Sequence, residues 1–141
     1  MMKFGLLTAI LDGWTFEEVV DIASEMGFQC LEVACWPAGK AERRYAGVSH
    51  IDAERVLEDD AYAAYVKELV ASQGLEISSL AFYPNVLDAD AAKAGAAIAH
   101  LKNLIRASAK LVSAGSPPSS AGISTRPWKR ISNCSRLCGP I

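Results

Sequence analysis

Glu32 is the residue of this chain with the clearest capacity for chemistry. It is a carboxylate inside an apolar run, residues 29–34, set between Leu31 and Val33. A charge is costly to bury there unless it is paired or functional. Glu32 is therefore read as a catalytic carboxylate, with a structural ion pair as the alternative. His50 lies in a long polar stretch after that run, where an imidazole can act as acid, base or phosphate binder; a solvated loop histidine is the other reading. Trp36 and Trp14 offer flat apolar faces to a ligand, or anchor their loops. Tyr83 and Asn85, in the run Phe82-Tyr83-Pro84-Asn85, offer a hydroxyl and an amide to ligand hydroxyls. Their alternative is a turn stiffened by Pro84 with an Asn cap. Asp12 is a weaker choice of the same kind as Trp14. Arg43-Arg44 reads as a solvated pair rather than an anion site. His100, beside Lys93 and Asn103 on a polar helix face, reads as solvated surface.

Other chemistries lack support. Cys30 and Cys35, and Cys134 and Cys138, are not spaced C-x-x-C and have no nearby histidine, so zinc is not expected. The thiols read as buried or incidental in a reducing compartment. The joint Leu11-Asp12-Gly13-Trp14-Thr15 is not G-x-G-x-x-G, which leaves a dinucleotide site unsupported.

These residues must be positioned by alternating strands and helices. Residues 3–9, 29–34 and 76–82 are short apolar runs, as in buried parallel strands. Thr15-Phe16-Glu17-Glu18 is a capping box that opens a helix. Phe16, Val19, Val20, Ala23 and Met26 recur at helical spacing, and Gly27 fits the position just past its end. Asp52 is expected to cap a short helix over 53–57. Asp59 or Asp60 starts a longer one, with Tyr62, Tyr65, Val66, Leu69 and Val70 on one face and Gly74 at its end. Asp88 is expected to cap a third helix to about residue 111, burying Ala94, Ala97, Ile98, Leu101, Leu104 and Ile105. Met26-Gly27-Phe28-Gln29 and Gln73-Gly74-Leu75-Glu76 are the same helix–Gly–strand joint repeated. Strand–helix alternation implies a parallel sheet with right-handed crossovers. It does not separate a barrel from a doubly wound sheet.

The totals are those of a globular protein: 51% hydrophobic and 21% charged over 141 residues. No apolar run reaches the roughly 18 residues of a membrane span, and the N-terminus lacks a signal-peptide pattern. A cytoplasmic protein without membrane contact is expected. Residues 1–111 hold ten basic against all sixteen acidic residues, a net charge of −6. Residues 112–141 hold four basic residues and no acid. The acidic body argues against a nucleic-acid groove.

The run MKFGLLTAILDGWTFEEVVDIASEMGFQCLEVACW, the later EISSLAFYPNVLDAD and the helix AHLKNLIRASAKL together resemble the xylose isomerase-like barrels known as sugar phosphate isomerases and epimerases. The resemblance spans residues 2–111 in order. It implies an α/β fold, a partial (β/α)8 TIM barrel of three βα units, out of a parent of about 250–300 residues. It also implies a divalent metal (Mn, Mg, Zn or Co) held by carboxylates and His on later strands of the parent. No metal is expected on this fragment. The implied activity is isomerisation or epimerisation of a sugar or polyol by metal-assisted proton transfer beside a carbonyl. Glu32, Trp36, His50, Tyr83, Asn85 and Trp14 would then shape the substrate side, and the fragment alone is expected to be inactive. Its open sheet edges invite self-association. Two alternatives stand beside this reading: a metal-dependent endonuclease of the same barrel type, and a small non-catalytic α/β binding module.

Residues 112–141 do not continue the pattern. They hold seven Ser and four Pro, and no strand or helix period. A disordered tail is the ordinary reading of such a composition. A sharper one is a shifted reading frame. One base inserted before codon 112, with permitted codons, yields a Gly joint, an apolar strand and an acidic amphipathic helix. These are the elements a fourth βα unit would need.

Overall fold

The computed structural model describes residues 2–37 and 47–111. Arg43, Arg44 and the whole 112–141 segment, with its expected disorder or frame shift, lie outside the described residues. The element order is β1 (Gly5–Leu7), a 3-10 turn (Thr8–Ile10), α1 (Phe16–Glu25), β2 (Cys30–Ala34), α2 (Ala53–Glu58), α3 (Asp60–Ser72), β3 (Glu76–Ala81) and α4 (Ala91–Leu111). Among the described residues the three strands form one parallel sheet in the order β1-β2-β3. That order excludes a flavodoxin-like sheet, in which the first strand lies between the second and third.

Local chemistry sets most helix ends where the sequence places them. Thr15 Oγ1 accepts from the Glu18 amide, and Glu18 Oε2 accepts from the Thr15 amide, closing the capping box at the start of α1. Asp52 Oδ1 accepts from the amides of Glu54 and Arg55 at α2. Asp59 accepts from the Tyr62 amide at α3. Gly27 and Gly74 leave α1 and α3 with φ of +82° and +72°, a conformation in which any side chain is strained.

The main core lies on one face of the sheet. Leu31 and Val33 point there from β2 and are fully buried against Phe16, Val20, Val56 and Val66. The helix α4 packs there through Leu104, Ala107 and Leu111. Glu32 alternates with Leu31 and Val33, so its side chain lies on the opposite face, where it is only half-buried. That is the face a closed barrel would turn inward.

Several expectations are corrected. The first strand is shorter than residues 3–9, because Thr8 turns its hydroxyl inward and the backbone tightens into a 3-10 turn. Asp90, not Asp88, caps α4: Asp90 Oδ1 accepts from the amides of Ala92 and Lys93, while Asp88 closes the turn before it. Ile98 and Ile105 are 39% and 63% exposed, because α4 packs through the face of Leu104, Ala107 and Leu111. Met26 and Tyr65 are also exposed; Tyr65 donates its hydroxyl to Glu17 instead of entering the core.

Candidate functional site

Glu32 lies in the middle of β2, and Trp36 and Tyr83 lie just beyond the C-terminal ends of β2 and β3. Leu7, Glu32 and Ser79 stand side by side in register. One irregularity decides which β3 residues share the Glu32 face. Leu31 pairs with Ile77, but Glu32 pairs with Ser79, so β3 spends one extra residue, Ser78, between them. Such a bulge reverses the side-chain alternation that follows it. Ile77 and Leu80 therefore both pack on the core side. Ser79 and Ala81 stand opposite Glu32 and Ala34, and Tyr83 continues that parity. The Ser78 hydroxyl donates to the Leu31 carbonyl at 2.9 Å, right at the shift.

Tyr83 meets Glu32 there. Its hydroxyl donates to Glu32 Oε1. The carboxylate beside it pushes the phenol up to about 12, because phenolate would face a like charge and lose the hydrogen bond. Trp36 flanks the pair, with its ring edge-on to Tyr83 at 5.8 Å and to Phe82 at 6.0 Å. A carboxylate held by a phenol beside an indole wall can accept hydroxyl protons and stack on an apolar ring face.

His50 is placed differently. It is buried, and both ring nitrogens are engaged. Nε2 lies 3.2 Å from the Leu11 carbonyl, which can only accept, so Nε2 carries the proton. Nδ1 then accepts from the Thr8 hydroxyl at 2.9 Å, and Thr8 Oγ1 in turn accepts from the Ala34 amide at 2.8 Å. Burial holds the imidazole below its ordinary value, against the opposing pull of the Leu11 carbonyl and the Asp12 charge. The segment 48–50 is also clamped by backbone: Trp36 N–H donates to Val48 O, and His50 N–H to Ala34 O. The histidine thus pins the segment after β2 to the end of β1. Thr8, fully buried, is the partner that sequence reasoning missed, since a Thr inside an apolar run carries no signal of its own.

Trp14 and Asp12 line a separate open cleft of about 400 Å³ with Ser49 and His50. The structure brings Glu32, Tyr83 and Trp36 together. It places Trp14 on the cleft beside His50. Asn85 is exposed, and its Oδ1 accepts from the Leu87 amide at 3.1 Å, as a turn cap does. His100 is not solvated surface. It is part-buried, donates from Nε2 to the Cys35 carbonyl at 2.8 Å, and stands edge-on to Phe82 at 4.6 Å. Burial pushes the Cys35 thiol up to about 12, so it stays protonated.

The divalent metal implied by the resemblance finds no donor set among the described residues, where no three His, Cys, Asp or Glu side chains converge. Glu32 has a phenol, not a second carboxylate, as its polar partner. No described helix is long and apolar enough to cross a membrane.

No protein-family model and no curated protein matches the sequence. Solved structures do. D-psicose 3-epimerase, crystallised in the presence of D-fructose, is similar with a TM-score of 0.52 at 21% identity, over 79% of this chain and 35% of that one. A xylose isomerase domain containing protein from Salmonella typhimurium LT2 is similar with a TM-score of 0.47 at 15% identity, over 78% of this chain and 34% of that one. The chain therefore spans about a third of the length of these proteins. Three parallel strands in consecutive order also fit half of a dinucleotide-binding sheet, and the likeness to the epimerase decides between the two. The described chain has the fold of a partial TIM barrel, as in the matching third of D-psicose 3-epimerase.

Proposed function

We propose that residues 2–111 form the sugar-facing part of a sugar or polyol isomerase or epimerase. The observation that carries this reading is the Glu32 carboxylate in the middle of β2, on the face a barrel closes around, held by Tyr83 beside the Trp36 indole. Carbohydrates are recognised by such pairs, with an aromatic wall for the C–H face and a carboxylate for the hydroxyls. Trp14 and Asn85 would add contacts at the rim of the same end. Given its two engaged nitrogens, His50 would serve by holding its loop in place.

The proton transfer of the parent would need a divalent metal, and no group of three His, Cys, Asp or Glu side chains that could hold one converges among the described residues. Ile98 and Ile105 are exposed on α4, and β3 has no second neighbour among the described residues; both features fit a further βα unit packing there. The proposed frame shift before codon 112 would account for that unit. Resequencing codons 105–125 tests it, and an intact frame overturns it. Without a covering unit, this edge would favour self-association.

Titration of the full chain with D-fructose, followed by Trp fluorescence, tests the sugar reading. Saturable binding that Trp36→Ala and Glu32→Gln each weaken is expected. Absence of binding, or equal binding by both variants, overturns it. An isomerase assay of this chain with Mn²⁺ or Mg²⁺ is expected to show no turnover; turnover would refute the proposal that catalysis needs groups beyond residue 111.

A further inference from the structure

We propose that His100 is a positioning residue for the aromatic wall beside Glu32, acting from α4 without touching the ligand. This rests on reading Glu32, Tyr83 and Trp36 as the sugar-facing site.

Two independent contacts carry it. The first is polar: Nε2–H of His100 donates to the carbonyl of Cys35, the residue just before Trp36, at 2.8 Å. That carbonyl belongs to the segment where β2 ends and the chain turns away. The Cys35 amide is already fixed to Ala81 O at 3.0 Å, and the Trp36 amide to Val48 O at 3.2 Å. With His100 on the carbonyl between those two amides, the peptide that orients the indole is held from both sides. The second contact is aromatic: the imidazole stands edge-on to Phe82 at 4.6 Å and 74°. Phe82 is edge-on to Trp36, Trp36 is edge-on to Tyr83, and Tyr83 donates to Glu32. Each edge-to-face contact restricts the ring that follows it. The chain of contacts runs from a helix residue 65 positions beyond Cys35 to the Glu32 carboxylate.

A solvated surface histidine would have neither contact. A histidine serving only α4 packing would have no reason to bond the β2 terminus, since that helix already docks through Leu104, Ala107 and Leu111. The physical consequence is specific: losing the donor frees the Cys35–Trp36 peptide, while losing an apolar α4 anchor loosens the helix but leaves that peptide held.

The test uses the full chain with Trp14→Phe and Trp128→Phe, which leaves Trp36 as its indole. His100→Ala is expected to shift Trp36 emission to the red and raise its quenching by acrylamide. His100→Gln, which keeps an N–H donor, is expected to restore both. His100→Phe, which keeps a ring but no donor, is expected to restore neither in full. Leu104→Ala, a buried anchor on the same helix, is expected to lower the unfolding midpoint without moving Trp36 emission. If His100→Ala does not fold, the comparison of Gln with Phe decides. Trp36 emission unchanged in His100→Ala, or moved equally by Leu104→Ala, or wild-type behaviour of His100→Phe, overturns the proposal. In a D-fructose titration, His100→Ala should bind about two- to tenfold more weakly, the worth of an aromatic contact. Should the wild-type chain bind no D-fructose, the sugar reading fails, and the fluorescence still decides the role of His100.

Discussion

The Tyr83 phenol donates its hydrogen to the Glu32 carboxylate across 51 residues of sequence, and the extra residue in β3 makes that meeting geometrically available. Without Ser78 as a spare residue, Tyr83 would fall on the core side of the sheet with Ile77. With it, phenol and carboxylate share the open face.

Tyr83 therefore reports on Glu32. Its phenol is held up to about 12 by the carboxylate. Glu32→Gln removes the negative charge and the strong acceptor, so the phenol should titrate closer to its ordinary value of about 10. The sign follows from linkage. A group raised in the folded state contributes stability below its unfolded value and loses it as pH climbs through the folded one. Ultraviolet titration of tyrosinate in the wild type, Glu32→Gln and Tyr83→Phe checks this. An unchanged high-pH transition in Glu32→Gln would count against the pairing.

The bulge can be tested directly. Deleting Ser78 should restore simple alternation and turn Tyr83 away from Glu32, so the elevated phenol titration should vanish. Ser78→Ala keeps the residue count and loses only the bond to the Leu31 carbonyl. It should keep the elevated titration, at a cost of about 0.5–1.5 kcal/mol in unfolding free energy.

The Thr8–His50 pair predicts a pH dependence of stability. His50 is held neutral below its ordinary value of about 6.5 by burial. Below that value the unfolded chain takes up a proton that the folded chain refuses, so stability should fall as pH drops from about 6.5 through the folded value. Above about 6.5 this contribution is fully present. His50→Leu should flatten that limb in melting temperature measured from pH 5 to 8. Thr8→Val strands the Ala34 amide and His50 Nδ1 together and should cost about 1–3 kcal/mol. A Thr8→Val midpoint equal to wild type in urea would contradict the hydrogen-bond assignment.

Gly5 has no room for a side chain. A Cβ there would lie 2.9 Å from Cys30 Sγ and 3.3 Å from the Cys30 carbonyl oxygen. Gly5→Ala should destabilise by about 1–3 kcal/mol through overpacking. Cys30→Ala in the same chain should recover part of that loss, since only the sulfur contact is relieved. Denaturant midpoints of the two single variants and the double variant measure the coupling.

What the sequence determined by itself are the features written in neighbouring residues. The Thr15–Glu18 capping box, the Asp52 and Asp59 caps, the glycine exits at 27 and 74, and the Leu31-Glu32-Val33 alternation all act within a few positions. Each is legible because the partner that satisfies it is close along the chain. The strand–helix order, and through it the α/β class, follow from the same local signals. The tertiary structure alone decided the rest. It set the extra β3 residue that brings Tyr83 to Glu32, the Thr8 hydroxyl that bonds His50, the His100 contact with the end of β2, and the exposure of Ile98 and Ile105. Each of these depends on a partner at least 26 residues away, or on which face of a helix meets the sheet. Periodicity gives the width of an apolar stripe but not the neighbour that covers it. A register shift leaves composition untouched while reversing every side chain beyond it.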